Sequence, residues 1–92
     1  MKFSIILFKD SSCELCKLMQ QELIDNPPNA DLKIIHVSRE NCSNEAIAYN
    51  IEYYPTILLF DDKGTVINRF EGFIDSKSIN INIDKYETKY LV

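Results

Sequence analysis

The chain has no tryptophan, one histidine, two glycines and three prolines in 92 residues. So little glycine and proline excludes collagen-like, linker and low-complexity architectures. No stretch approaches the roughly 18 consecutive apolar residues of a membrane-spanning helix. The longest early apolar run, Ile5-Ile6-Leu7-Phe8, is too short for the core of a secretory signal, and no small-residue cleavage site follows it. Basic residues are in the minority: 10 Lys and Arg against 14 Asp and Glu leave a net charge of −4. No basic run is present, which argues against nucleic acid as a partner and against a polybasic membrane-surface patch. Cysteine is scarce and odd in number, unlike the even framework of a small secreted domain. With Met1 as the start, these absences predict a cytoplasmic protein. Its thiols are then expected to serve catalysis or metal binding rather than structure.

What is present is ordinary for a globular chain: 46% hydrophobic and 26% charged residues. The length predicts one domain, residues 1–92, with a modest core. Phe3 to Phe8 is apolar around Ser4, as in a strand buried on both faces. Ser11, with Glu14 three residues on, fits a capping box at a helix start. Leu15, Leu18, Met19 and Leu23 then recur at helical spacing, with Glu22 near the edge of that stripe, and Asp25-Asn26-Pro27-Pro28 stops the helix. Leu32 to Val37 reads as a second strand, which makes a βαβ unit with parallel strands. A short helix over about 43–49 follows, with Asn50 as a left-handed residue at its end. Thr56 to Phe60 and Thr65 to Phe70 form a hairpin turned at Gly64, where positive φ is wanted. The last segment is ambiguous. Ile79, Ile81 and Ile83 alternate like a strand, whereas Ile79, Ile83, Tyr86 and Tyr90 recur like a helix face. Its length and the cap offered by Asp75-Ser76 favour helix.

Cys13-Glu14-Leu15-Cys16 is the feature that carries chemistry. Cysteines at i and i+3 in a helical turn bring their Cα atoms within the roughly 4.4–6.8 Å that a disulfide needs. The first turn of a helix also offers unpaired N–H groups and the positive end of the dipole, which stabilise a thiolate. Such sites lower a cysteine pKa from about 8.5 to roughly 3.5–7.5. Cys13, nearer the loop, is expected to be the exposed nucleophile, and Cys16 the deeper, resolving thiol. The Glu14 carboxylate opposes a second negative charge beside it, and Lys9 and Lys17 are placed to offset that. Two other readings stay open: an inert buried pair, or half of a zinc site completed by Cys42 and His36. Cys42 alone reads as a small buried hydrophobe, and His36 as a structural strand histidine. Tyr49, Tyr53 and Tyr54 fit either the rim of a site or the core. Asp61, Asp62 and Glu71 read as solvated charges.

In this order the chain resembles the thioredoxin superfamily, over nearly its whole length. A buried strand leads into Cys13-Glu14-Leu15-Cys16-Lys17, a short helix ends in Ala48-Tyr49-Asn50-Ile51, Tyr54-Pro55-Thr56 opens a strand, and Gly64 and Gly72 bracket the last strand. The resemblance implies an α/β, thioredoxin-like fold: a four-stranded mixed sheet flanked by about three helices in β-α-β-α-β-β-α order. It implies a cis bond before Pro55, facing the cysteines, the other reading of the residue being a plain turn proline before a strand. It also implies that the Tyr54 backbone pairs with an extended substrate segment. The implied activity is thiol–disulfide oxidoreduction in cell redox homeostasis, with Cys13 and Cys16 catalytic and Tyr54 and Pro55 binding substrate. No cofactor and no metal is required. The implied partners are a disulfide-containing protein and an electron donor, either a thioredoxin-reductase-like enzyme or glutathione, with the chain itself a monomer.

Departures from the family pattern are specific. The usual central dipeptide is replaced by Glu14-Leu15, the usual tryptophan before the first cysteine by Ser12, and the buried aspartate beneath the pair by Leu7. The strand and helix that open thioredoxins have no counterpart before Phe3, as in glutaredoxins, yet the glutathione-binding features of glutaredoxins are only half present. These departures give weight to an alternative: a non-catalytic thioredoxin-like module that docks a protein.

Overall fold

A computed structural model describes residues 2–37 and 43–90. Four strands and three helices follow in the order β1 (Ser4–Asp10), α1 (Glu14–Asp25), β2 (Asp31–Val37), α2 (Asn44–Ala48), β3 (Thr56–Phe60), β4 (Val66–Glu71) and α3 (Ser76–Tyr90). The strands form one sheet in the order β2-β1-β3-β4. β1 runs parallel to β2 and antiparallel to β3, and β3 and β4 are antiparallel.

Alternation along the strands explains how both faces become covered. Ile5 and Leu7 of β1, with Ile57 and Leu59 of β3, point to one face, where they meet Met19 and Leu23 of α1 and Ile79 and Ile83 of α3. Ile6 and Phe8, with Leu58 and Phe60, point to the other, where they meet Val37 at the end of β2 and Ala46 of α2. The two central strands are therefore apolar at every position over 5–8 and 57–60. Full burial of each such side chain contributes about 1.5–3 kcal/mol.

The C-terminal segment is a helix, and its packing shows why. Ile79 and Ile83 are buried while Ile81 is exposed, as the helical period requires and strand alternation does not. Asp75 accepts the Ser78 N–H at 2.8 Å, in the manner of a helix cap. Two further contacts tie its start to α1: Ser76 N–H donates to Glu22 Oε2 at 2.8 Å and Ile74 N–H to Met19 Sδ at 3.4 Å. Asn50 has φ 54° and Gly64 φ 80°, both in the left-handed region expected of them.

Several expectations are corrected. Leu15 and Leu18 do not belong to the core stripe of α1: they are 41% and 61% exposed, and the buried line is Cys16, Met19 and Leu23. β2 is an edge strand, so Leu32 and Ile34 stay partly exposed. Asp61 is not a solvated turn charge but is 7% exposed. It accepts N–H groups from Lys63 and Thr65 across the hairpin turn and the Tyr86 hydroxyl from α3. Tyr86 in turn packs edge-on against Phe3.

This buried carboxylate has a consequence for acid stability. The Thr65 N–H, helped by the Tyr86 hydroxyl and by Lys63, holds the Asp61 carboxyl below its ordinary value of 3.8. A carboxyl whose pKa is lower in the folded state contributes stability above its unfolded pKa and loses it as pH falls through the folded one. Urea unfolding of wild type and Asp61→Asn should therefore differ most near neutral pH, with the gap closing below about pH 4. A constant gap from pH 7 to pH 3 would contradict this account.

Candidate active site

The chain between β1 and α1 is short and shaped by its own polar groups. Asp10 Oδ1 accepts the Ser12 N–H at 3.0 Å and the Ser12 hydroxyl at 3.1 Å. The Asp10 carbonyl accepts the Cys13 N–H at 3.2 Å. The Ser12 N–H, with its hydroxyl, holds the Asp10 carboxyl below its ordinary value. This turn delivers Cys13 to the helix start, so the N-cap is Cys13 and not Ser11. The capping-box reading fails because the Asx turn at Asp10 already uses the residues before Cys13.

As N-cap residue, Cys13 has extended backbone angles, φ −97° and ψ 106°, and its sulfur takes the place usually held by a capping oxygen. The Cys16 N–H points at Cys13 Sγ from 3.0 Å. The two cysteines are joined as a disulfide with Cα atoms 5.2 Å apart. Cys13 is partly exposed and Cys16 fully buried, so only one of the two sulfurs faces an incoming molecule. Lys17 pairs with Glu14 at 3.2 Å on the exposed side of the helix, reducing the local negative charge. Lys9 does not take part in this, for its ammonium donates to Gln20 Oε1 at 2.6 Å.

The second half of the site comes from the chain entering β3. The Tyr54–Pro55 peptide bond is cis, and Pro55 is buried. Cys13 Sγ lies 3.6 Å from the Tyr54 carbonyl oxygen, 41 residues away in the chain. The buried Thr56 hydroxyl donates to the Tyr53 carbonyl at 2.6 Å, and the Gly72 N–H donates to the Pro55 carbonyl at 2.8 Å. Gly72 itself has φ 94°, a conformation that glycine adopts without strain. All four residues named from the sequence, Cys13, Cys16, Tyr54 and Pro55, therefore meet at one end of the sheet.

Sequence reasoning missed Asp10, Thr56 and Arg69. Asp10 was legible in principle, as an Asx residue two before a hydroxyl residue. The Thr56 hydroxyl bonds locally, three residues back across the cis Tyr54–Pro55 bond, whereas Arg69 was not legible because its partners are set by tertiary packing. Arg69 donates to the carbonyls of Tyr49 and Asn50 at 2.7 and 2.9 Å, holding the end of α2 against β4. Of the three tyrosines, Tyr49 packs edge-on against Phe60, Tyr54 packs partly against the α2-side core, and Tyr53 is exposed.

A groove of about 430 Å³ is lined by Tyr53, Tyr54, Glu71 and Gly72; it includes neither cysteine and shares Tyr54 with the site. A larger cleft of about 820 Å³ lies between the end of α1 and the start of α3, lined by Glu22, Asp25, Asp75 and Asp84 among others, and includes neither cysteine. Among the described residues, no cluster of three His, Cys, Asp or Glu side chains is arranged to hold a metal ion. His36 is exposed on β2, and Cys42 lies outside the described residues. Among the described residues no helix is long and apolar enough to cross a membrane.

Comparison with known proteins extends this geometry. A thioredoxin from Halobacterium salinarum aligns with a TM-score of 0.76 at 22% identity, over 92% of this chain and 74% of its own. The chloroplastic thioredoxin z aligns with a TM-score of 0.70 at 21% identity, over 95% and 80%. The malaria parasite thioredoxin-2 gives 0.72 at 19% identity, over 91% and 82%. At these identities the likeness is one of fold. No curated protein sequence matches the chain. The model of a family described as a thioredoxin-like domain matches residues 2–87, nearly the whole chain. With its four-stranded mixed sheet, three helices and Cys13–Cys16 pair, the chain belongs to the thioredoxin-like domain family.

Proposed function

We propose that the protein is a thiol–disulfide oxidoreductase that reduces, or exchanges, disulfides of protein substrates through Cys13 and Cys16. The observation that carries this reading is the sulfur of Cys13 at the cap of α1, partly exposed, with a backbone N–H aimed at it and its partner sulfur buried behind. An N–H donated to sulfur stabilises the thiolate over the thiol, and the thiolate is the nucleophile.

In the dithiol state the Cys13 thiolate attacks one sulfur of a substrate disulfide. A bond forms between the two sulfurs, the substrate S–S bond breaks, and the departing sulfur leaves as a thiolate that takes a proton from water. Cys16, having lost its proton, then attacks the Cys13 sulfur. This releases the second substrate sulfur and forms the Cys13–Cys16 bond. Two electrons pass to the substrate, and the pair is oxidised by two. A donor of two electrons, either a thioredoxin-reductase-like enzyme or glutathione, restores the dithiol. In this reading Tyr54 offers backbone to an extended substrate segment and Pro55 shapes the surface it lies on. No organic cofactor or metal takes part, the protein works as a monomer, and in the cytoplasm the net direction is reduction.

The test is a redox titration. Equilibration against graded dithiothreitol or glutathione ratios, followed by thiol trapping and mass measurement, should show one two-electron transition confined to Cys13 and Cys16. Its midpoint should fall within the span of known dithiol proteins, roughly −270 to −120 mV. A pair that forms no reversible disulfide at any ratio would end this reading.

A further inference from the structure

We propose that the groove beside Cys13 selects disulfide substrates that carry a lysine or arginine next to the reacting cysteine; this rests on the oxidoreductase reading above. Tyr54 links the groove to the reacting atom: it forms part of the wall, and its carbonyl oxygen lies 3.6 Å from Cys13 Sγ. A substrate whose sulfur meets Cys13 must lay its neighbouring residue over this wall.

The charge of the groove is set by Glu71. This last residue of β4 pairs across the sheet with Thr56, directly after Pro55, and it lines the groove together with Tyr54. Its side chain is 44% exposed. Among the described residues, the cation it meets is Arg69, whose Nε is 3.9 Å away. The two terminal nitrogens of that guanidinium donate to the Tyr49 and Asn50 carbonyls, so they are directed toward the end of α2 and not toward Glu71. A carboxylate offers about four acceptor positions, and one long contact leaves room for a second cation. Tyr53, 62% exposed, also lines the groove, and an aromatic face attracts a lysine or arginine head group within about 6 Å. Across Cys13, Lys17 is engaged by Glu14 and does not reverse the sign. A volume of about 430 Å³ admits one long side chain.

Three disulfide-linked peptides, identical except for Lys, Gln or Glu beside the cysteine, test the assignment. The second-order rate at which each oxidises the pre-reduced protein is measured at low salt and in 0.5 M salt, with neutral 2-hydroxyethyl disulfide as a fourth oxidant. The Lys peptide should react about fivefold faster than the Glu peptide, the scale of an exposed charge pair. That ratio should fall toward one in high salt. Glu71→Gln should collapse the ratio at low salt, and Asp84→Asn, which removes the same charge from an exposed site on α3, should preserve it. Equal rates for the three peptides, a ratio that survives Glu71→Gln, or an equal loss in Asp84→Asn would each overturn the assignment while leaving the redox reading intact. A wild-type protein oxidised by none of the four compounds would refute the oxidoreductase reading, and this inference with it.

Discussion

Replacing Cys13 with serine is expected to lower protein-disulfide reduction by more than about a thousandfold, to the background set by the reductant alone. The loss follows from the arrangement of the two sulfurs. Cys13 is partly exposed at the cap of α1, and Cys16 is buried at the bottom of the same turn. A serine oxygen at the cap would still accept the Cys16 N–H, so the helix start is preserved. It has no thiolate to offer, so only the chemistry is removed. Cys16→Ser should behave differently. Cys13 still attacks, but the mixed disulfide has no resolving thiol and accumulates as a covalent adduct on Cys13. Insulin-disulfide reduction and intact-mass measurement read the two outcomes. Equal activity of wild type and Cys13→Ser would favour a docking module that turns nothing over. An adduct on Cys16 in the Cys13→Ser protein would reverse the roles.

The second large effect is expected at Leu7. This residue is fully buried in the cluster formed by Ile5, Met19, Leu23, Ile57, Leu59, Ile79 and Ile83. Leu7→Ala removes packed methyl groups and leaves a cavity, at a cost of about 2–5 kcal/mol. In a domain of this size that shifts Tm downward by roughly 4–8 °C per kcal/mol. Leu7→Asp should cost more, because it also buries a carboxyl without a partner. Its deficit should depend on pH. Burial raises a carboxyl pKa in the folded state above the unfolded value of about 3.9. The protonated form is then tolerated at low pH, and stability is lost as pH rises through the raised value. Chemical denaturation of Leu7→Asp at pH 4 and pH 8 should therefore show the larger deficit at pH 8. A deficit that shrinks with rising pH would mean that the carboxylate finds a partner in the core.

The substitution bears on the site as well. The resemblance puts a buried aspartate of the family at position 7, and here the position is occupied by a leucine that belongs to the central core. The apolar choice is consistent with the rest of β1, where Ile5, Ile6 and Phe8 are also buried. The chain thus gains core at the position where the family keeps a titratable group.

Much of this molecule was legible before any coordinates, for local physical reasons. Phe3 to Phe8 reads as a strand buried on both faces, and β1 buries Ile5 and Leu7 on one face and Ile6 and Phe8 on the other, because such an apolar run has no polar side to turn outward. Asn50 and Gly64 mark positive φ because those residue types adopt it at least cost. The cysteine spacing fixes a disulfide-compatible distance in any helical turn. What failed to read were the cases in which a distant element chose between equal local options. Helical spacing places Leu18 beside Met19 and Leu23, yet α1 meets the sheet along a narrower line and leaves Leu18 outside. Asp61 looks like any turn aspartate until Tyr86 arrives from α3 to bond it.

Sequence alone determined the order of elements, the apolar central strands and the pair of thiols at the opening of the first helix, because each follows from periodicity, propensity and spacing within a few residues. The position of Cys13 nearer the loop also marked it as the exposed sulfur, whereas tertiary structure brings Tyr54 and Pro55, expected there only from the family resemblance, to Cys13 and decided that Glu71 lines the groove next to Tyr54. Those relations join residues far apart in the chain, Cys13 with Tyr54 and Thr56 with Glu71, and only burial of both faces of the sheet brings them within contact range.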